Sequence, residues 1–549
     1  MLTYFYRKDD QDIFTGRKHE LSLLEGCLLA KRPADAHLSG LRRIGKTMLI
    51  KEFIKRRLRD RAVLPVYINL EEIAETPEDF ALKFIGWHLY WHYAKGDRLP
   101  GPFLHLPSLL FEVHDKALRD ALLPITQELE KAKPDRQRLL QECFGFSEAL
   151  ARFTKKRVLL FLDEFQEIQN LTNFDRAKNI LKIMRGVKDR SANVTYCISG
   201  SIISEMEWIT KDDRSPFFNQ FSHIAVPSYS QAESRELIRK FIPDIDARNA
   251  GLLHHYSGGN PFYLVQLLRK AVLFLGRGEE VSESLIKRAF ISETLSPNGR
   301  IHSYCNYLYS VSLQRAKGYG VLKSLLDAIA ASESPMTQSE LARDLRMTQG
   351  AVRVNLKELQ AIGLLMERDR RYYYNDPVLR YWVAYVQNGI EAPDFPKEKD
   401  LVALIEELDR KYRLVSEELG REKEGTIRGL MRLFAGQRVE GRLFGSTRTV
   451  MLPRFKSIER FVSDDGRTEL DVLARNGVRW AVEVKWKSKA AGEKEVSAFF
   501  QKAAVVADRC WYVSKAGFTR EATAFASKKE MFLSSEREIG ILKRELEKT

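Results

Sequence analysis

Residues 35–58 read DAHLSGLRRIGKTMLIKEFIKRRL, and they decide the architecture of the first half of the chain. Gly40, Gly45, Lys46 and Thr47 fall in the spacing G-x-x-x-x-G-K-[ST]. Glycines at those positions let the backbone wrap an anion with its N–H groups. The lysine then reaches the outer phosphates of a nucleotide, and the threonine hydroxyl holds Mg²⁺. Arg43, inside the same loop, is a further candidate nucleotide contact. TMLIKEFIKRRL reads as a helix, whose N-terminus turns the positive end of its dipole toward the anion. AHLSG, in front, reads as a short strand.

A second stretch supports the first. In KRVLLFLDEFQEI (156–168), Val158 to Leu162 form the unbroken apolar run of a buried parallel strand. Asp163 and Glu164 follow at its C-terminal end, where ligands sit in open α/β sheets. An aspartate there can hold Mg²⁺ through water, and a glutamate can orient the attacking water.

The 549 residues exceed what one core can organise, so three or four domains are expected. Hydrophobic content of 44% and charged content of 30% describe a globular chain. No apolar run is long enough for a membrane helix, and the N-terminus becomes charged too early for a signal peptide. Five scattered cysteines without a CxxC pair point to a reducing cytoplasm. The formal charge is +15, and residues 421–549 hold 27 Lys and Arg against 18 Asp and Glu. That excess suits a polyanion such as DNA.

Three further segments carry a resemblance: FTGRKHELSLL (14–24), NVTYCISGS (193–201) and YSGGNPFYL (256–264). With the two motifs above, residues 10 to about 300 resemble the archaeal-type ATPases of the AAA+/STAND P-loop group. The resemblance implies ATP as cofactor. It makes Arg17 and Pro261 nucleotide contacts, and Ser199 or Ser201 the polar sensor at a strand end. It also leaves a departure. Gln220, in SPFFNQF, stands where the group carries an arginine, with Arg214 the nearest substitute. His88 and His92, four residues apart in WHLYWHYA, are read as aromatic packing.

Residues 334–383 read as a helix-turn-helix with a wing. Thr337 and Glu340 form a capping box, QGAVRVNLKELQAIGL carries Val352, Leu356, Leu359 and Ile362 on one face, and Gly363 is a C-cap glycine. LLMERDRRYYYND reads as two strands around a charged turn. If this winged helix meets DNA, Gln349, Arg353 and Lys357 face the groove. A protein partner docked there is the other reading.

ELDVLARNGVRWAVEVKWKS (469–488) closes the series. Alternation sets Trp480, Val482, Val484 and Trp486 on one face and Ala481, Glu483, Lys485 and Lys487 on the other. A two-residue Asn476–Gly477 turn would send Asp471 and Glu483 to opposite faces. A three-residue loop, Arg475 to Gly477, pairs Ala474 with Val478 and puts both carboxylates on one face, so this register is expected. Two such carboxylates chelate a hard divalent cation, Mg²⁺ or Mn²⁺, and Lys485 positions or deprotonates the attacking water. Asp471 with Glu483-Val484-Lys485 resembles the PD-(D/E)XK nucleases over about 425–535. On that resemblance Glu440, read on a preceding helix, is the further acid, and Gln501 and Lys502 are auxiliary.

The expected fold class is α/β and multidomain. A P-loop NTPase parallel sheet (1–230) is followed by a helical lid (231–315), a winged helix (316–390), a helical linker (391–425) and a restriction-endonuclease-like α/β domain (426–549). The expected function is an ATP-hydrolysing, DNA-binding protein with a metal-dependent nuclease under nucleotide control. The expected partners are DNA and further copies of the chain, with no membrane. The rival readings are a STAND-type signalling scaffold whose C-terminal domain does not cut, and a ring-forming DNA motor.

Overall fold

The computed structural model describes residues 13–93, 99–276, 278–314, 319–332, 334–368, 370–387, 389–394, 427–462, 469–485 and 490–546. Contacts divide the chain into two compact units, Met1–Val402 and Ala403–Thr549. Beyond residue 394 the expected linker lies outside the described residues, as do Trp486 and Lys487.

In the first unit α1 (Lys18–Leu28) leads to β1 (Ala36–Ser39), α2 (Lys46–Arg57) and β2 (Val63–Asn69). Four helices then intervene: α3 (Pro77–Tyr93), α4 (Leu106–Glu112), α5 (Lys116–Leu129) and α6 (Arg136–Thr154). Then come β3 (Arg157–Asp163), α7 (Ile180–Lys188), β4 (Val194–Ser199), α8 (Ile203–Lys211) and β5 (Ser222–Ala225). The sheet is parallel with order β2-β3-β4-β1-β5. Val158 to Leu162 are wholly buried, as a strand covered on both faces requires. Because β4 lies between β1 and β3, the end of β4 sits between the loop after β1 and the carboxylate ending β3.

The helices α9 (Gln231–Phe241), α10 (Ala247–Ser257), α11 (Pro261–Leu275), α12 (Glu283–Leu295) and α13 (Arg300–Gln314) follow. Asn260 caps α11, its side chain accepting from Phe262 N, with Pro261 as the first helical residue. Then come α14 (Tyr319–Ala331), β6 (Met336–Thr337), α15 (Gln338–Asp344), α16 (Gln349–Ala361), β7 (Leu365–Arg368), β8 (Arg371–Tyr374) and α17 (Pro377–Val386). The capping box of Thr337 and Glu340 forms, and Val352, Leu356 and Leu359 are buried. A third strand, β6, pairs with β8; two residues are too short to show an alternation in sequence.

The second unit holds β9 (Arg438–Val439), β10 (Val450–Met451), β11 (Ser457–Val462), β12 (Glu469–Asn476), β13 (Val478–Lys485), α18 (Glu493–Ala503), β14 (Arg509–Ser514), α19 (Arg520–Lys528), β15 (Phe532–Ser535) and α20 (Glu536–Leu546). The main sheet is mixed, with order β11-β12-β13-β14-β15: the first two pairs are antiparallel and the last two parallel. Val472, Ala474, Trp480, Val482 and Val484 pack on one side with Leu443, Phe444 and Leu542. Leu473, Ala481 and Tyr512 pack on the other with Phe499 of α18 and Ala522 of α19. Both faces are thus covered.

The hairpin register differs from the expected one by two residues. Arg475 pairs with Arg479 and Asn476 with Val478, leaving Gly477 at the tip with φ 72°. A residue without Cβ accepts that left-handed conformation without strain, so the turn tightens. A shift of two preserves parity, and Asp471 and Glu483 keep their common face.

Candidate functional sites

At the C-terminal edge of the parallel sheet, Thr47 Oγ1 donates to Asp163 Oδ2 at 2.6 Å, and the Tyr67 hydroxyl donates to the same oxygen at 2.9 Å. Ser199 Oγ donates to Asp163 Oδ1. Three hydroxyls from β2, β4 and the start of α2 therefore converge on one buried carboxylate. That set of oxygens fits a hydrated divalent cation. Tyr67 was not among the expected residues; its only sequence signal is a polar-tipped residue near the end of an otherwise apolar strand. Burial first, then the Asp163 charge, raises its phenol well above the usual value.

Lys46 is 6% exposed and donates to the Gly40 and Leu41 carbonyls at 2.9 and 3.1 Å, closing the loop on itself. Burial lowers its pKa, while the Glu164 and Asp163 charges pull it up. A Cβ at Gly40, φ 158°, would stand 2.6 Å from the Val226 carbonyl, so only glycine lets the loop pass. Gly45 has φ 99°. A loop of this kind with a buried amine fits nucleotide phosphates.

Glu164 takes a left-handed conformation, φ 50°. Its Oε2 accepts from Gln166 Nε2 at 2.6 Å, Ser201 N at 3.1 Å and Ser201 Oγ at 2.8 Å. The two sensor candidates thus divide: Ser199 serves Asp163 and Ser201 serves Glu164.

Three expected contacts are spent on bracing. Arg17 is buried, donating to the Pro227 carbonyl at 2.6 Å and the Ile44 carbonyl at 2.9 Å, with Tyr229 beneath it. It holds the phosphate loop against the start of the lid. Arg43, φ 61°, lies 4.3 Å from the Phe262 ring and 4.1 Å from Tyr304. Pro261, next to Phe262, starts the helix that meets Arg43. Arg42 donates to the Tyr307 hydroxyl at 3.3 Å. Burial opposes its charge, but Tyr307, Tyr304 and Glu164 outweigh that and raise its pKa. A cavity of about 300 Å³ opens here, lined by Arg42, Ser201, Tyr304, Tyr307, Gly363 and Asp376. The Gln220 side chain donates to the Phe218 carbonyl at 3.4 Å, and Arg214 pairs with Asp212 at 2.9 and 2.7 Å. His88 bonds the Phe84 carbonyl and Ser147, each at 2.8 Å, which accounts for it as packing.

In the second unit, Asp471 Oδ2 accepts from Val484 N at 2.7 Å, locking the carboxylate across the two strands. Lys485 Nζ lies 2.5 Å from Glu483 Oε1. Burial raises the Glu483 pKa, Asp471 raises it further, and Lys485 and Lys502 lower it. Two carboxylates repelling in a half-buried site, with one amine beside them, fit a divalent cation. Lys502 of α18 belongs to this electrostatic neighbourhood. Glu440 does not. It lies on no helix but precedes the 3-10 turn Gly441–Phe444, pairs with Arg442, and is 58% exposed. Its neighbours Val439, Leu443 and Phe444 pack on the sheet face opposite to the carboxylate pair. Among the described residues, no three acids, histidines or cysteines gather as a metal cluster.

Comparison with known proteins follows this division. A family described as an ATPase domain predominantly from Archaea matches residues 14–267, and one described as a restriction endonuclease matches residues 456–540. Comparison with curated proteins finds no match. Among solved structures, the chain is similar to the Walker-type ATPase of Pyrococcus abyssi, at 18% identity, 69% of this chain, 97% of that one and TM-score 0.49. It is also similar to the Aeropyrum pernix ORC2 protein in its ADPNP–ADP complexes, at 14% identity, 76% and 98% coverage and TM-score 0.43. A third is a signal transduction ATPase with numerous domains from Pyrococcus horikoshii, at 16% identity, 68% and 42% coverage and TM-score 0.28. The two family matches support ATPase and nuclease activity, and domains of these kinds use ATP and divalent metals. The chain thus carries an archaeal-type ATPase domain over residues 14–267 and a restriction-endonuclease domain over residues 456–540.

Proposed function

We propose that the protein is a metal-dependent DNA endonuclease whose cutting is controlled by the nucleotide bound in its ATPase domain. The observation that carries this reading is the Asp471, Glu483 and Lys485 constellation on one sheet face. Asp471 and Glu483 would hold Mg²⁺ or Mn²⁺, which when bound supplies charge stabilisation for the phosphodiester and acidifies water. Lys485 orients the attacking water and accepts or shares its proton. At the other site Lys46 binds the outer phosphates, Thr47 and Asp163 hold Mg²⁺, Glu164 orients water, and Ser199 and Ser201 keep the two acids in place. Arg42 and Arg43 link the phosphate loop to α13 and α11, so a ligand that moves the loop moves those helices.

The segment from α14 to α17 serves as a winged helix, with exposed Arg353 and Lys357 contacting the DNA backbone. Five free cysteines, four of them buried, accord with a cytoplasmic location. No helix among the described residues is long and apolar enough to cross a membrane. Gln220 in place of an arginine favours control over a ring-forming motor. The test is cleavage of linear, nicked and branched DNA with Mg²⁺ or Mn²⁺, with and without ATP, beside Lys485→Ala. Metal-dependent cutting that responds to ATP and vanishes in the variant is expected. ATP hydrolysis without cutting on any substrate would leave the signalling scaffold as the better reading.

A further inference from the structure

The ATPase domain carries a second charged concavity, on the sheet edge opposite to the phosphate loop. It is an open depression of about 730 Å³, walled by Lys31, Arg57, Arg152, Lys155, Lys156 and Arg157. Val63 and Arg157 begin β2 and β3 here, whereas Asp163 ends β3 beside Thr47 of the phosphate loop. A seven-residue strand separates the two edges by roughly 20 Å, so this surface is no part of the ATP site.

Cations at helix ends have an ordinary explanation, because α1, α2 and α6 all finish at this edge. Three helix C-termini supply roughly half a negative charge each. The carboxylates in reach are Glu25 and Asp60, both on Arg57, and Glu148 on Arg152. Six cations exceed the sum of both. The excess resides in Lys31, Lys155, Lys156 and Arg157, which have no carboxylate partner among the described residues, Arg157 donating to the Ala30 carbonyl at 3.4 Å. Exposed Arg32, Arg59 and Arg61 extend the positive surface along the adjoining loops. Ala30, Ala62 and Ala151 also line it, small side chains that take up little of the space.

We infer that this depression binds a nucleic-acid phosphodiester backbone, as a contact on the ATPase domain separate from the C-terminal cutting site. The space is far larger than one phosphate. Its three unpaired ammonium groups come from two distant chain segments, and ammonium groups act as point charges that engage phosphates. Such an arrangement positions a strand without selecting a sequence. The inference stands whether or not the C-terminal domain cuts.

The test is fluorescence anisotropy of the full chain with a fluorescein-labelled duplex in EDTA, over a salt series. The combined variant Lys31→Ala, Lys155→Ala, Lys156→Ala should weaken binding at least about tenfold at ~0.15 M salt and lower the log–log salt slope by about 2 to 3. ATP turnover should stay at the wild-type rate, and the matching Lys→Arg variant should bind as wild type does. Tripolyphosphate at equal phosphate concentration should not displace the duplex. Unchanged slope and affinity would overturn the inference, as would a wild type that binds no DNA, a loss that arginine does not restore, or displacement by tripolyphosphate. Asp471→Asn, by contrast, should stop cutting and leave the salt slope as it was, which separates this surface from the nuclease reading.

Discussion

The guanidinium of Arg43 lies 4.1 Å from the ring centroid of Tyr304, so a residue of the phosphate loop is stacked on a helix some 260 positions further along the chain. Arg43 also lies 4.3 Å from Phe262, whose ring packs edge-on to Tyr304, and Tyr263, next in α11, donates to Asp376 at the start of α17. A short line of contacts thus runs from the loop through the lid to the segment beyond it. Arg43→Leu should destabilise the nucleotide-free protein by about 0.5–1 kcal/mol, the range of a cation–π contact at an exposed site. Chemical unfolding measures this. Nucleotide affinity should fall far less than on losing Lys46, because Arg43 is engaged by rings.

Lys46→Ala should abolish ATP turnover and weaken nucleotide binding together. Asp163→Asn should lower turnover at least about a hundredfold while retaining nucleotide binding, since the amide keeps one acceptor oxygen for the Thr47 and Ser199 hydroxyls but no longer attracts a cation. Equilibrium binding of a fluorescent ATP analogue beside steady-state hydrolysis separates the two effects. Equal losses of affinity in both variants would count against the assigned roles.

Lys485→Ala should remove cutting and leave DNA binding within about threefold, because one cation among many on a basic domain carries little of the affinity. Glu440→Ala should leave cutting near the wild-type rate, since its exposed carboxylate pairs with Arg442 in a segment whose neighbours pack on the opposite face of the sheet.

The raised pKa of Glu483 has a stability consequence with a definite sign. A carboxylic acid whose pKa is higher in the folded state favours folding at low pH, and that advantage is lost as pH rises through the folded-state value. Burial causes most of this and Asp471 adds to it. Asp471→Asn keeps an acceptor for Val484 N but removes the repulsion. It should therefore raise the Tm of the metal-free protein at pH 7 and change it little near pH 4. Added Mn²⁺ should raise the Tm of the wild type and not of the variant.

His88 carries the opposite sign. Burial lowers its pKa to about 4, so the unfolded chain takes up a proton that the folded one refuses. The stability of the ATPase domain should decline as pH falls from about 6.5 toward 4, by up to ~1.4 kcal/mol per pH unit from this group. Thermal unfolding across that range measures it. A flat profile would mean that the ring is not held neutral.

Much of this protein could be read in advance, and the successes share a cause. The phosphate loop, the buried strand ending in Asp163, the capping box of Thr337 and Glu340, and the alternation of β12 and β13 each rest on residues within a few positions of one another. Glycine freedom, capping geometry and the two-residue period of a strand act over that range. Parity of the hairpin was likewise legible, because only one parity buries both apolar sets.

The misses depend on partners far away in sequence. The sequence suggests a helical acid at Glu440, but Val439, Leu443 and Phe444 are drawn to the other sheet face, and the chain turns there through a 3-10 segment. The register shifted by two because Gly477 allows a tighter tip than the expected loop, and alternation is blind to even shifts. Tyr67 joined the Asp163 set because β2 and β3 pair in parallel, setting Ile68 beside Leu162.

By itself, then, the sequence determined which segments could wrap a phosphate, which carboxylates could share a face, and which helices would start and stop where they do. Those outcomes follow from steric and hydrogen-bonding rules that operate between neighbours. Only the tertiary structure decided that Arg17 and Arg43 brace the loop, that three hydroxyls meet on Asp163, that Glu440 is turned away, and that six cations surround one depression on the far edge of the sheet. Each of those depends on which surfaces burial brings together across hundreds of residues, and no local pattern encodes that choice.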